Sequence, residues 1–153
     1  MRWVLRHGEL PGAWADAPRP DLILYDPFSF KVDAPLWQPS TFRGLRALLG
    51  DHPAALYTYS NATAVRAALL AAGFFVGAGV PTGPKAETTV AWTHAERARP
   101  LGPAFLTKWR RSSAAFPPEI LSHERDAFAA LIEQHPQWSL ADATPLIGVP
   151  PPV

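Results

Sequence analysis

Asp21-Leu22-Ile23-Leu24-Tyr25-Asp26-Pro27-Phe28-Ser29-Phe30 is the stretch on which the fold turns. Residues 21–25 form a short, largely apolar run without strict alternation, the habit of a strand buried in a parallel sheet. Pro27 has no N–H for a ladder, so the strand stops at Asp26. Upstream, residues 2–7 predict a second short strand, ended by Gly8. Downstream, Ser40 is placed to cap a helix over about 41–49, with Phe42, Leu45, Leu48 and Leu49 on one face and Gly50 at its stop. Residues 54–59 predict the next strand. Ser60 or Asn61 then caps a helix whose apolar stripe is Val65, Ala68, Leu69 and Ala72, and Gly73 stops it.

A strand starts at residues 74–76, a loop of glycine and proline covers 77–84, and the β-branched residues of 87–92 make a further strand. Strand, helix, strand, helix, strand predicts a mostly parallel α/β sheet. The last two strands lack the dozen residues that a crossover needs, so that pair is expected to be antiparallel.

Beyond residue 93 the pattern changes. Residues 97–111 carry Arg97, Arg99, Lys108, Arg110 and Arg111 and no acid. Pro103 opens a helix over about 104–114, Pro117-Pro118 breaks it, and Ser122 caps a helix over 123–134 that Pro136 ends. The expected organisation is an α/β domain over 1–93 and a proline-rich, partly helical extension over 94–153 packed on it.

Composition narrows the function. The 153 residues suit one domain. Fourteen Lys and Arg against 13 Asp and Glu leave a net charge of +1, which excludes a strongly basic nucleic-acid arm or an acidic tail. Cysteine is absent, which removes disulfides, Cys–zinc sites and a thiol nucleophile. No 18-residue apolar run exists and the N-terminus is too polar for a signal peptide, so a cytoplasmic protein is expected.

Several motifs fail on context. Gly77, Gly79 and Gly83 are followed by prolines and a strand, where a dinucleotide loop needs a helix. His123-Glu124 lacks the second histidine of a zinc helix, and Ser60 lacks the glycines of a nucleophile elbow. What survives is the turn after the first parallel strand. Ligands bind at the carboxyl ends of strands in open α/β sheets. There, a carboxylate at Asp26 can hold an amine or take its proton. Tyr25, Phe28 and Trp37 are expected to wall a flat substrate. The competing reading is a turn-capping Asp26 with core aromatics.

These residues carry a resemblance. Asp26-Pro27-Phe28-Ser29 with Lys31, Pro35-Leu36-Trp37, Tyr57-Thr58-Tyr59-Ser60-Asn61, Val65 to Leu69, Ala72-Gly73-Phe74, Gly83-Pro84-Lys85 and Glu87-Thr88-Thr89 resemble the MnmC-like methyltransferases over about residues 2–92. The resemblance implies a class I, Rossmann-like methyltransferase sheet that methylates the aminomethyl group of the tRNA wobble uridine, with S-adenosyl-L-methionine as donor. It implies Asp26 as the catalytic acid beside donor and acceptor. Gly8, Glu9, Asp26 and Pro27 would face the donor; Phe28, Ser29, Lys31, Trp37 and Lys85 would face the substrate. Glu9 stands where the family has an aspartate.

In the family, the donor's Gly-rich loop and ribose-binding acid lie on two strands that precede the matching segment. This chain is therefore expected to lack about two βα units, at ~30 residues each, and to need help in binding the donor. The sheet edge so exposed is expected to be covered by a homodimer, by an N-terminal half, or by the tail. Two other functions remain open at this stage. One is a non-catalytic tRNA- or protein-binding module using the basic stretch with Phe105 and Trp109. The other is methylation of a small amine.

Overall fold

The computed structural model describes residues 4–10, 12–14, 16–29, 32–83, 86–97 and 99–140. Its centre is a four-stranded sheet. β1 (Leu22–Leu24) pairs parallel to β2 (Ala55–Thr58), and β4 (Thr88–Trp92) lies antiparallel between β2 and β3 (Phe75–Gly79). The spatial order is β1-β2-β4-β3. The expected antiparallel pair is present. The insertion of β4 between β2 and β3 is invisible in the sequence, because a five-residue strand pairs equally well on either side.

The crossover from β1 to β2 carries α1 (Pro39–Leu49), and that from β2 to β3 carries α2 (Thr63–Ala71). The two helices pack together on one face of the sheet. Tyr25 identifies that face: its ring meets Phe42 of α1 at 5.5 Å. Strand side chains alternate between faces, so Ile23 and its register partners Leu56, Ala91 and Val76 point the same way. Leu56, Ala91 and Val76 are buried among Phe42, Leu45, Leu49, Val65, Ala68 and Leu69.

The helix starts differ from expectation in their caps. Pro39 begins α1, with Gln38 as the residue before it, and the Ser40 hydroxyl instead donates to the Glu119 carboxylate at 2.7 Å. Before α2, the Ser60 hydroxyl accepts from the Ala62 N–H at 3.4 Å, so it shapes the entering turn without capping the helix.

The strand expected over 2–7 does not form in residues 4–7; residues 2 and 3 lie outside the described residues. A strand needs a ladder partner, and the exposed side chains of Val4 and Leu5 show that this segment docks on none.

The C-terminal segment forms α3 (Ala104–Arg110), α4 (Arg125–Glu133) and α5 (Gln137–Leu140). A one-turn 3₁₀ helix, Ser122–Glu124, precedes α4, where Leu121 donates its N–H to the Glu124 carboxylate at 2.9 Å. Phe105, Trp109, Phe128 and Ile132 join the main core.

This segment covers the outer edge of β3. Val76 donates its N–H to the Gln137 side-chain oxygen at 2.8 Å, and its carbonyl accepts from the Leu101 N–H at 2.7 Å. The Gln137 amide also donates to the Leu101 carbonyl at 3.2 Å. The edge that the tail covers is therefore the one opposite the site turn, not the β1 edge.

Candidate functional site

The end of β1 is built to hold one turn still. Tyr25 (4% exposed) and Trp37 (3% exposed) lie in the core, edge to face at 5.5 Å. The Tyr25 hydroxyl donates to the Leu36 carbonyl, and the Trp37 indole N–H donates to the Phe28 carbonyl at 2.8 Å. The Ser29 carbonyl accepts from the N–H groups of Val32 and Asp33, and the Thr41 hydroxyl donates to the Pro35 carbonyl at 2.8 Å. Burial, reinforced by the Asp33 charge, pushes the Tyr25 hydroxyl well above the usual tyrosine range. Tyr25 therefore stays a neutral donor to the Leu36 carbonyl at physiological pH.

Against that frame Asp26 is exposed, and its carboxylate makes no hydrogen bond or ion pair with the described residues. Phe28 is 76% exposed beside it. Trp37 and Tyr25 thus offer no open face to a substrate, contrary to the expected aromatic wall; Phe28 alone points outward. Both rings stand behind the turn, where the indole N–H and the phenol meet the backbone carbonyls of Phe28 and Leu36.

Gly8 and Glu9 sit in an irregular segment, where the Glu9 carbonyl accepts from the Ala13 N–H at 2.9 Å. Among the described residues no hydrogen bond or ion pair joins them to the Asp26 turn. Ser29 contributes its backbone to the turn and its side chain is exposed. Lys31 and Lys85 lie outside the described residues.

A second feature of the same sheet end escaped sequence reading. Arg66, on the first turn of α2, is buried and fully engaged. Its Nε donates to the Thr89 hydroxyl at 2.9 Å, and its two terminal nitrogens donate to Glu87 at 3.0 Å and to the Thr88 carbonyl at 2.8 Å. It ties α2 to the start of β4 at the carboxyl edge of β2. Only its place in a helix stripe otherwise made of Ala, Val and Leu hinted at burial.

The basic stretch does not form a stacking surface. Phe105 and Trp109 are buried; Phe105 stacks on Trp138 at 6.4 Å, and the Trp109 indole donates to the Ala115 carbonyl. Arg110 pairs with Glu133 at 2.8 Å. Gly77 and Gly79 are strand residues, and a Cβ on Gly77 would meet the Arg99 carbonyl oxygen at 2.3 Å. Those glycines serve close packing, not phosphate binding.

A parallel β1–β2 pair with helices on one face, closed by an antiparallel strand inserted at the far end, belongs to the Rossmann-like α/β class, and its open carboxylate stands at a strand's carboxyl end. Residues 13–94 match the family described as S-adenosyl-L-methionine-dependent methyltransferase. The chain belongs to that family. Among solved structures it is similar to MnmC2 from Aquifex aeolicus, at 25% identity and a TM-score of 0.57 over 77% of this chain. It spans 38% of that protein's length. No curated protein matches it.

The methyl donor of the family is S-adenosyl-L-methionine. The chemistry at the turn fits one end of it: an unpaired carboxylate and an open aromatic ring both favour a cationic sulfonium. Among the described residues no helix is long and apolar enough to cross a membrane.

Proposed function

We propose that this chain forms the acceptor side of a cytoplasmic methyltransferase that acts on the aminomethyl group of the tRNA wobble uridine, yielding 5-methylaminomethyl-2-thiouridine. The observation that carries the proposal is the Asp26 carboxylate, exposed and unpartnered among the described residues, on a turn held by hydrogen bonds from the buried Tyr25, Trp37 and Thr41 side chains. S-adenosyl-L-methionine supplies the methyl group as an electrophilic sulfonium carbon. An amine nitrogen held at the turn would exchange one proton for that methyl group, with the donor's sulfur leaving as a neutral thioether.

Asp26 accepts a hydrogen bond from the amine, aims its lone pair and receives that proton. Pro27 fixes the backbone so that the carboxylate keeps its direction. Phe28 shields the reacting atoms from water and faces the cationic centre. Gly8 and Glu9 would hold the far end of the donor. Ser29, Lys31 and Lys85 would meet the nucleic acid, the lysines through its phosphates.

The test is nucleoside mass spectrometry of tRNA from a strain lacking the gene. The 5-aminomethyl-2-thiouridine precursor is expected to accumulate. The wild-type gene should clear it, and Asp26→Asn should leave methylation at least ~10²-fold slower. The variant should unfold at the wild-type temperature, because the carboxylate has no partner in the described fold. An unchanged wobble nucleoside in the deletion strain refutes the assignment.

A further inference from the structure

We propose that the cleft where α2 ends, β3 begins and α4 ends is a binding site for an uncharged, mostly apolar small molecule that carries one hydrogen-bond acceptor. The cleft holds about 400 Å³, at the low end of the ~300–1,000 Å³ typical of ligand pockets. Leu70, Phe75, Ala130 and Leu131 give it apolar walls, and Gln134 and His135 are its polar side chains. None of the lining residues is Asp, Glu, Lys or Arg.

The cleft exists because two helices end side by side on small residues. α2 stops at Ala71, and the chain turns at Gly73 (φ +86) into Phe75. A Cβ added to Gly73 would meet nothing within 4 Å. α4 packs beside α2 and lines the gap with Ala130, a side chain too short to fill it. Leu131 stands 51% exposed at the rim.

The His135 ring gives the cleft its polarity. It is 7% exposed and stands edge-on to the Phe75 ring at 5.3 Å. Its Nδ1 accepts the Gln137 N–H at 3.2 Å, so the neutral ring carries its proton on Nε2. Burial lowers the ring's pKa to about 4, which keeps that form at neutral pH. Nε2 has no hydrogen-bond partner among the described residues. Yet among those residues no fully buried side-chain nitrogen or oxygen is unpaired. Nε2 is therefore reached from outside, through the cleft that its ring lines.

These features select the ligand. An ion would find no opposite charge on the walls and would lose its hydration. A purely apolar guest, or an alkyl side chain from a partner protein, would strip water from the Nε2–H and leave it unpaired, at ~1–3 kcal/mol. A small molecule with an apolar body and one carbonyl oxygen or ring nitrogen fills the walls and meets the donor. The site is remote from the proposed acid. β3 runs parallel to β1 at the opposite edge of the sheet, and the cleft lies at its amino end, whereas Asp26 follows the carboxyl end of β1. The lining residues from Ala130 onward also lie beyond the segment matched to the family. The inference thus does not rest on the methyltransferase reading.

The probes are acetophenone, whose ketone is an acceptor, and toluene, which has none. Heteronuclear NMR of the full chain at neutral pH follows both. Acetophenone should shift the amides of residues 70–75 and 130–135 saturably, with a dissociation constant of roughly 1 mM or tighter. It should also move the His135 Nε2 resonance, which toluene should leave in place. His135→Phe should weaken acetophenone binding about fivefold or more, and toluene binding less than about twofold. Ala130→Leu narrows the cleft and should weaken both probes about fivefold or more without lowering the melting temperature. The Nε2 resonance is read on the unmodified chain, so the test stands even if the His135 variant fails to fold. Absence of saturable shifts in these residues at ~10 mM acetophenone overturns the proposal. So does an Nε2 resonance that acetophenone leaves unmoved, or a folded His135→Phe variant that binds both probes as the unmodified chain does.

Discussion

Replacing Gln137 by alanine removes three hydrogen bonds at a fully buried position on the edge of β3. The Val76 carbonyl keeps the Leu101 N–H at 2.7 Å, but the Val76 N–H loses its 2.8 Å acceptor and the Leu101 carbonyl its 3.2 Å donor. An unpaired buried donor costs ~1–3 kcal/mol. The void left by the shortened side chain adds about 1 kcal/mol at ~24 cal/mol per Å³. The sum is about 3 kcal/mol, or a melting temperature lower by roughly 6–12 °C for a chain of this size. Denaturant unfolding followed by tryptophan fluorescence measures the loss. Gln137→Met fills the volume without bonding, so it should recover the void and leave the hydrogen-bond cost. The Val76 amide should exchange with solvent faster in both variants. A loss under 1 kcal/mol for Gln137→Ala, with Val76 exchange unchanged, would refute the claim that this side chain closes the sheet edge.

Gly77→Ala should cost roughly 2–3 kcal/mol in the same unfolding assay, because its Cβ would stand 2.3 Å from the Arg99 carbonyl oxygen and 2.9 Å from the Trp92 ring. Burial lowers His135 to about 4, and its Nδ1 accepts the Gln137 N–H at 3.2 Å, so the fold holds the ring neutral. The unfolded chain takes up a proton near pH 6.5 that the folded one refuses. Its contribution to stability should therefore be flat above pH 6.5, fall by about 3 kcal/mol in all as pH drops toward 4, and level off below. Equilibrium unfolding between pH 7 and 5, where few carboxylates titrate, measures the slope, and His135→Phe should abolish it.

Much of the sheet was legible because its signals are local. The run at 22–25, the stop at Pro27, the helix stripes ending at Gly50 and Gly73, and the short link into Thr88–Trp92 each carry their own meaning. What failed depended on partners. Residues 4–7 have strand-like composition, yet no strand pairs with them among the described residues. Ser40 and Ser60 have cap-like positions, yet Glu119 and the Ala62 N–H claim their hydroxyls. Tyr25 and Trp37 read as a substrate wall, and their burial follows from carbonyls at Leu36 and Phe28 that no pattern in the chain announces. Gln137, between a proline and a tryptophan, carries no local sequence signal of its burial.

The two edges of the sheet explain why the site is half open. At β3 the chain spends a buried glutamine and a loop N–H on one residue, Val76, and pairs its bare edge groups. At β1 it leaves two leucines and their outward backbone groups in solvent, one residue away from the stapled turn that presents Asp26. Rigidity at Tyr25, Trp37 and Pro27 fixes the direction in which the Asp26 carboxylate is presented, so an amine brought to that turn meets an acceptor that does not have to reorganise.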